Sequence, residues 1–80
     1  MTYDEKENLK ENIKDIEHQI KVITHKIALE NQDYENKLQN KKFFENLEMD
    51  HENALFSLNL KLKDLKLKKK ELEKMLEDLM

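Results

Sequence analysis

The chain has 80 residues, with 15 Lys and no Arg, 18 Asp plus Glu, a formal net charge of −3, and no Gly, Pro or Cys. A chain this short makes one small domain, residues 1–80, with a modest core that needs an oligomer or another staple to be firm. The missing Cys excludes disulfides, thiolate zinc sites and thiol catalysis; the missing Gly and Pro remove the usual means of building tight turns and phosphate loops.

Charged residues make up 41% of the chain, and Leu, Lys, Glu and Ile dominate, which is the composition of long helices and coiled coils. The regular spacing of the aliphatic residues argues against disorder. Abundant Asn and Lys, with Ala limited to Ala28 and Ala54, suggest an AT-rich genome such as that of a low-GC bacterium, its phages or a protozoan. No apolar run is long enough to span a bilayer, and the acidic start Met1-Thr2-Tyr3-Asp4-Glu5 is not a secretory signal. The expected location is therefore cytoplasmic, in the host cell if the chain is phage-encoded, with no membrane contact.

The first helix is expected over about 3–38. Thr2 can cap it, with Glu5 reaching back, and Asp4, Glu5 and Glu7 suit the positive end of the helix dipole. Leu9, Ile13, Ile16, Ile20, Ile23 and Ile27 follow a 4-3-4-3-4 spacing, an a/d seam over three heptads. In the same frame a second seam runs through Leu55, Leu58, Leu62, Leu65, Leu72, Leu76 and Leu79, with Lys69 replacing one member. The intervening a/d positions are Glu30, Tyr34, Lys37, Lys41, Phe44, Glu48 and His51.

This polar middle chooses the architecture. In one continuous helix of roughly 115 Å, paired in parallel with a copy of itself, each of these charges would face its own copy inside the seam, and buried like charges are costly. A fold-back avoids that. The expected fold is therefore all-α, an antiparallel two-helix coiled-coil hairpin that dimerises into a four-helix bundle; the single long helix in a parallel dimer is the alternative. A register in which paired residue numbers sum to 85 sets a against d throughout. It places Leu9 against Leu76, Ile20 against Leu65, Tyr34 against His51 and Lys37 against Glu48. The turn is expected at about 39–42, with Asn40 the best candidate for a left-handed residue, and the second helix at about 43–79.

The faces left over carry the functional reading. Met49, Phe56, Leu60 and Leu67 project opposite the leucine seam, and Val22 and Leu29 form a shorter outer stripe between His18 and His25. A solvated hairpin would carry polar residues there, so these six are candidate dimer or partner contacts. Phe43, Phe44 and Leu47 cluster near the fold-back and join the same candidate interface. Glu45, Glu48, Asp50 and Glu52 form an acidic patch beside them. Lys61, Lys63, Lys66, Lys68 and Lys70, with Lys69, crowd one segment that phosphate could contact. The net negative charge, the lack of Arg for base reading and the acids that follow (Glu71, Glu73, Glu77, Asp78) argue against nucleic acid. As seam flanks, these lysines would cover the leucines with their stems.

Chemistry finds little footing. His18 and His25 are seven apart, about two turns, too far to share one ion. The lone Ser57 has no His three or four residues away, and the carboxylates are spaced as helix surface. No catalytic residue, metal or cofactor is expected. The function expected is a small non-enzymatic interaction module that self-associates and docks onto a larger protein. The composition suits an accessory protein of a phage or mobile element that inhibits a host protein such as a defence nuclease. A structural spacer or oligomerisation module is the alternative, and a nucleic-acid accessory protein using Lys61 to Lys70 a second one.

Overall fold

The computed structural model describes residues 2–39 and 46–79, with side chains from Asp4 onward. Two helices account for almost all of it: α1, Thr2–Gln39, and α2, Leu47–Leu79. Neither is interrupted by a breaker, and both are rich in Leu, Lys, Glu and Ile, most of them strong helix formers. Each also opens with acids at its positive end, Asp4 and Glu5 in α1 and Glu48 and Asp50 in α2. Lys37 completes the pattern in the last turn of α1. The last turn of α2 carries no base.

The helices lie side by side and antiparallel, in a body measuring 60 × 15 × 13 Å. One straight helix of this chain would be about twice as long, so the continuous-helix alternative is excluded. Two cross-helix contacts fix the register. The Tyr34 and His51 rings stack with centroids 4.0 Å apart, and Lys69 Nζ lies 3.6 Å from Glu17 Oε1. The first pair sums to 85 and the second to 86, which is the expected alignment.

The inward row of α1 is buried or half-buried without a break through Leu9, Ile13, Ile16, Ile20, Ile23, Ile27, Glu30, Tyr34 and Lys37. Its counterpart on α2 runs through Leu47, His51, Leu55, Leu58, Leu62, Leu65, Lys69, Leu72 and Leu76. Two expected members depart from the row. Glu48 is exposed, and Leu47 takes the inward place at that end; an apolar neighbour one position away displaces a carboxylate that would lose its hydration. Leu79 is 37% exposed, because it is the last residue of α2 and the register sets it against Lys6 in place of an aliphatic side chain.

The entry into α2 also differs from the expected one. Asn46 has φ 64°, in the left-handed region that Asn tolerates better than most residues. Its carbonyl accepts the Asp50 N–H at 2.9 Å, the first helical bond of α2. A helix cannot run through such a residue, so helix 2 begins at Leu47 and not at about 43. Gln39 closes α1. The expected left-handed Asn40, together with Lys41, Lys42, Phe43, Phe44 and Glu45, lies outside the described residues, as does the capping side chain of Thr2.

Packing is thin. Among the described residues only Ile13 (9% exposed) and Ile23 (8%) are buried, and no polar side chain is. Both sit in the middle of the aliphatic stretch, where neighbours above and below on the row complete their cover. We expect Ile13→Ala or Ile23→Ala to cost about 2 kcal/mol, the low end for truncating a core aliphatic. A fall in the thermal midpoint of the helical circular dichroism signal checks this. The same change at exposed Leu60 should leave the melting of the isolated hairpin nearly unmoved.

Candidate interaction surfaces

The outer face of α2 is the most distinctive surface of the molecule. Met49, Phe56, Leu60 and Leu67 are 60%, 71%, 51% and 51% exposed. At about 100° per residue they fall within an arc of roughly 40°, centred about half a turn from the inward row. Single exposed aliphatic residues are ordinary. Four in line on the side of α2 that points away from α1, with the polar Asn53 and Lys63 between them, form an apolar line of the kind that marks a contact surface. The strip spans residues 49–67, about 27 Å at the helical rise.

The shorter stripe of α1 behaves differently. Leu29 is exposed, but Val22 sits at the rim of a shallow groove between the helices, lined by Gln19, Val22 and Ile23 of α1 and Lys61, Asp64, Leu65 and Lys68 of α2. Val22 is thus partly a continuation of the seam and only partly an outer residue. Leu47 is half-buried and lines a recess with Tyr34 and His51 at the inward side of α2. Phe43, Phe44 and Glu45, the rest of the expected aromatic and acidic tip, lie outside the described residues. Two exposed apolar side chains fall outside the expected stripes, Leu38 and Met75. Leu38 lies one place beyond the inward Lys37, and Met75 lies about 80° round the helix from the Met49–Leu67 line. Neither lies on the Met49–Leu67 line.

The polar half of the hairpin is held by a clasp. His51 Nδ1 lies 3.1 Å from Glu30 Oε1, with the His51 side chain only 12% exposed. A carboxylate can only accept, so Nδ1 carries the proton and donates. The same ring stacks on Tyr34 at an interplanar angle of 7°. Glu30 and Tyr34 are four apart on α1, so one turn of helix presents both the acceptor and the stacking face to a single imidazole. Asp33, Lys37 and Asp50 line the same recess, and Lys37 Nζ is 3.0 Å from Asp33 Oδ2. Two of the charges that argue against a parallel seam, Glu30 and Lys37, are therefore paired, one across the hairpin and one along α1.

The remaining charges are dispersed. Lys61, Lys63, Lys66, Lys68 and Lys70 are all exposed, but at about 100° per residue they spread over more than half the circumference of α2 and do not form one phosphate-facing stripe. Lys69 is turned to Glu17 and to Glu73, 3.9 Å away. Glu48, Asp50 and Glu52 are exposed at the start of α2. His18 and His25 are exposed on α1. Among the described residues no three His, Asp or Glu side chains converge on a metal-sized site, and no helix is long and apolar enough to cross a membrane.

No protein-family model, curated protein or solved structure matches the chain. The surface itself therefore carries the functional reading.

The clasp generates its own expectation. His51→Ala or Glu30→Ala removes a hydrogen bond to a charged acceptor, and His51→Ala also removes a stacked ring. Each should cost about 1 kcal/mol at this part-exposed site. Amide hydrogen exchange should accelerate first at residues 30–37 and 47–55, and least around Ile13 to Ile23.

Proposed function

We propose that this chain is a small, non-catalytic protein-interaction module that works by presenting the outer face of α2. One observation carries the reading: Met49, Phe56, Leu60 and Leu67 stand exposed in a line on the side of α2 that α1 does not cover. Leaving such a strip in water forgoes the stabilisation that burying it would bring, and a line of apolar anchors on one helix face, here spaced seven, four and seven apart, is the element that helix-to-helix docking uses. The hairpin is suited to the task because the strip lies on a helix whose opposite side is fixed by the seam. The anchors are held in one line before any contact forms, which lowers the ordering cost of binding.

On this reading the protein associates through the strip and acts as an adaptor or inhibitor on a larger protein, in keeping with the accessory role suggested by its composition. A purely structural spacer would need only the seam and would have no use for a second apolar face. The lysine segment supports at most salt-labile contact with nucleic acid, since its charges do not share a face and contacts of this type weaken steeply with salt.

Phe56→Asp combined with Leu60→Asp tests the proposal. Neither side chain belongs to the inward row, so the helical signal of the dilute protein should persist. Association, read as complex mass by light scattering or as material retained from the native host, should be lost. A double variant that folds and associates like the unmodified chain would refute the strip as the binding face.

A further inference from the structure

Resting on the proposed role of the α2 strip, we infer that the strip is covered by the α2 of a second copy, packed antiparallel about a two-fold axis at residue 58. Two features of α2 support this. The first is self-complementarity. The four anchors form two pairs with the same sum: Met49 with Leu67, and Phe56 with Leu60, both sum to 116. An antiparallel copy in that register sets Met49 on Leu67 of the second copy and Phe56 on Leu60 of the second copy, and the two-fold repeats both contacts. In heptad terms every layer then sets an a position against a d position, as antiparallel pairs require. Asn53 against Lys63 is the one polar layer. A shift of seven residues either way leaves at least two anchors of each copy without an apolar counterpart.

The second feature is charge. A parallel copy would also align the anchors, each on itself, so spacing alone does not decide direction. Away from the inward row, residues 47–57 carry Glu48, Asp50 and Glu52, a formal −3 with His neutral, whereas their mirror segment 59–69 carries Lys61, Lys63, Lys66 and Lys68 with Asp64, a formal +3, since Lys69 is turned to Glu17 of its own chain. These blocks lie on either side of residue 58. A parallel pair would set acid on acid and base on base; the antiparallel pair sets each block on its opposite. Glu52 then flanks Lys66 of the second copy. Asp50 against Asp64 is the one adverse pair, and Lys61 and Lys68 stand beside it.

The geometry also gives the shape. Because the strip lies about half a turn from the inward row, the second copy adds behind α2 and not over the groove between the helices. The assembly is an open row, α1–α2–α2–α1, in place of a closed four-helix bundle. The contact is about 27 Å long and one helix wide, well below the ~800 Å² per partner of standard stable interfaces. Its dissociation constant should therefore lie in the micromolar range.

The chain contains no Cys, so single thiols report position cleanly. Asn53→Cys and Lys63→Cys chains, mixed in equal amounts and oxidised mildly, should give mainly the mixed 53–63 disulfide. Homodisulfides at both positions would show a parallel pair and overturn the inference. Sedimentation should show a monomer–dimer equilibrium. Glu52→Lys alone and Lys66→Glu alone should each weaken it about threefold to tenfold, the reach of exposed ion pairs, and the two together in one chain should restore it. A chain that stays monomeric at several hundred micromolar, about a hundred times the expected range, overturns self-association. If its Phe56→Asp, Leu60→Asp form nevertheless loses a heterologous complex that the unmodified chain forms, the interaction reading survives that failure. If no complex of either kind depends on the strip, both readings fall.

Discussion

Two helices can touch along only one strip each, and everything else about this molecule follows from that limit. The strip is filled by side chains spaced three and four apart, so it closes the pair along its whole described length. It cannot enclose anything. Among the described residues Ile13 and Ile23 are the most buried, at 9% and 8% exposed, and every other member of the row keeps a wider edge in water. Such a core can hold two helices together while contributing little beyond that. It also means that a large apolar side chain well away from the row is left exposed, because the fold has no second interior. The strip from Met49 to Leu67 is exposed for that reason, not through a local irregularity.

Cohesion and pairing specificity are divided between the halves of the hairpin. The half near the chain termini is aliphatic and supplies attraction without direction. The half near the connection is polar, and its groups are satisfied: Glu30 by His51, His51 also by Tyr34, and Lys37 by Asp33. Buried or half-buried polar groups add little net stability, yet each is expensive to leave unpaired. Placing them in the seam therefore discourages arrangements that would separate them. Lys69 plays a similar part within the aliphatic half. Its stem occupies a seam position while its amine reaches Glu17 and Glu73 at the edge, so a charge is carried in the row without being buried.

Much of this is readable from the residues. The 3-4 spacing specifies which face of each helix turns inward, and the charged middle of the frame argues against a parallel pair; together they lead to the hairpin and to the Tyr34–His51 pairing. The six outer apolar residues are likewise read from their angular position, and all six are exposed. What periodicity does not reveal lies at the ends of the pattern. Asn46, not a residue near 43, sets the start of α2, because Asn carries a left-handed conformation at many positions and sequence does not say which one is used. Leu47 and Glu48 are adjacent candidates for one inward place, and the frame continued from the leucines favours the wrong one; the cost of dehydrating a carboxylate decides in favour of Leu47. Leu79 fits the frame but has Lys6 across from it, a fact about the partner helix that a one-helix pattern does not hold.

The clasp at Glu30, Tyr34 and His51 has a consequence for how this chain can change over evolutionary time. An aliphatic ladder repeats every seven residues, and its rungs alone do little to distinguish one alignment from the next; Lys69, held at the edge by Glu17, is the one marker among them. The imidazole with its two partners occurs once, and so it sets the phase of the ladder. With phase stored inside the helices, the segment joining them is released from that duty. Residues can be gained or lost there for the small entropic charge of a longer loop, about 0.6 kcal/mol per doubling, while the same side chains continue to meet. In a family of such hairpins the connection would be the variable part and the clasp the invariant one, the reverse of what is expected where a tight turn dictates the register of the elements it joins.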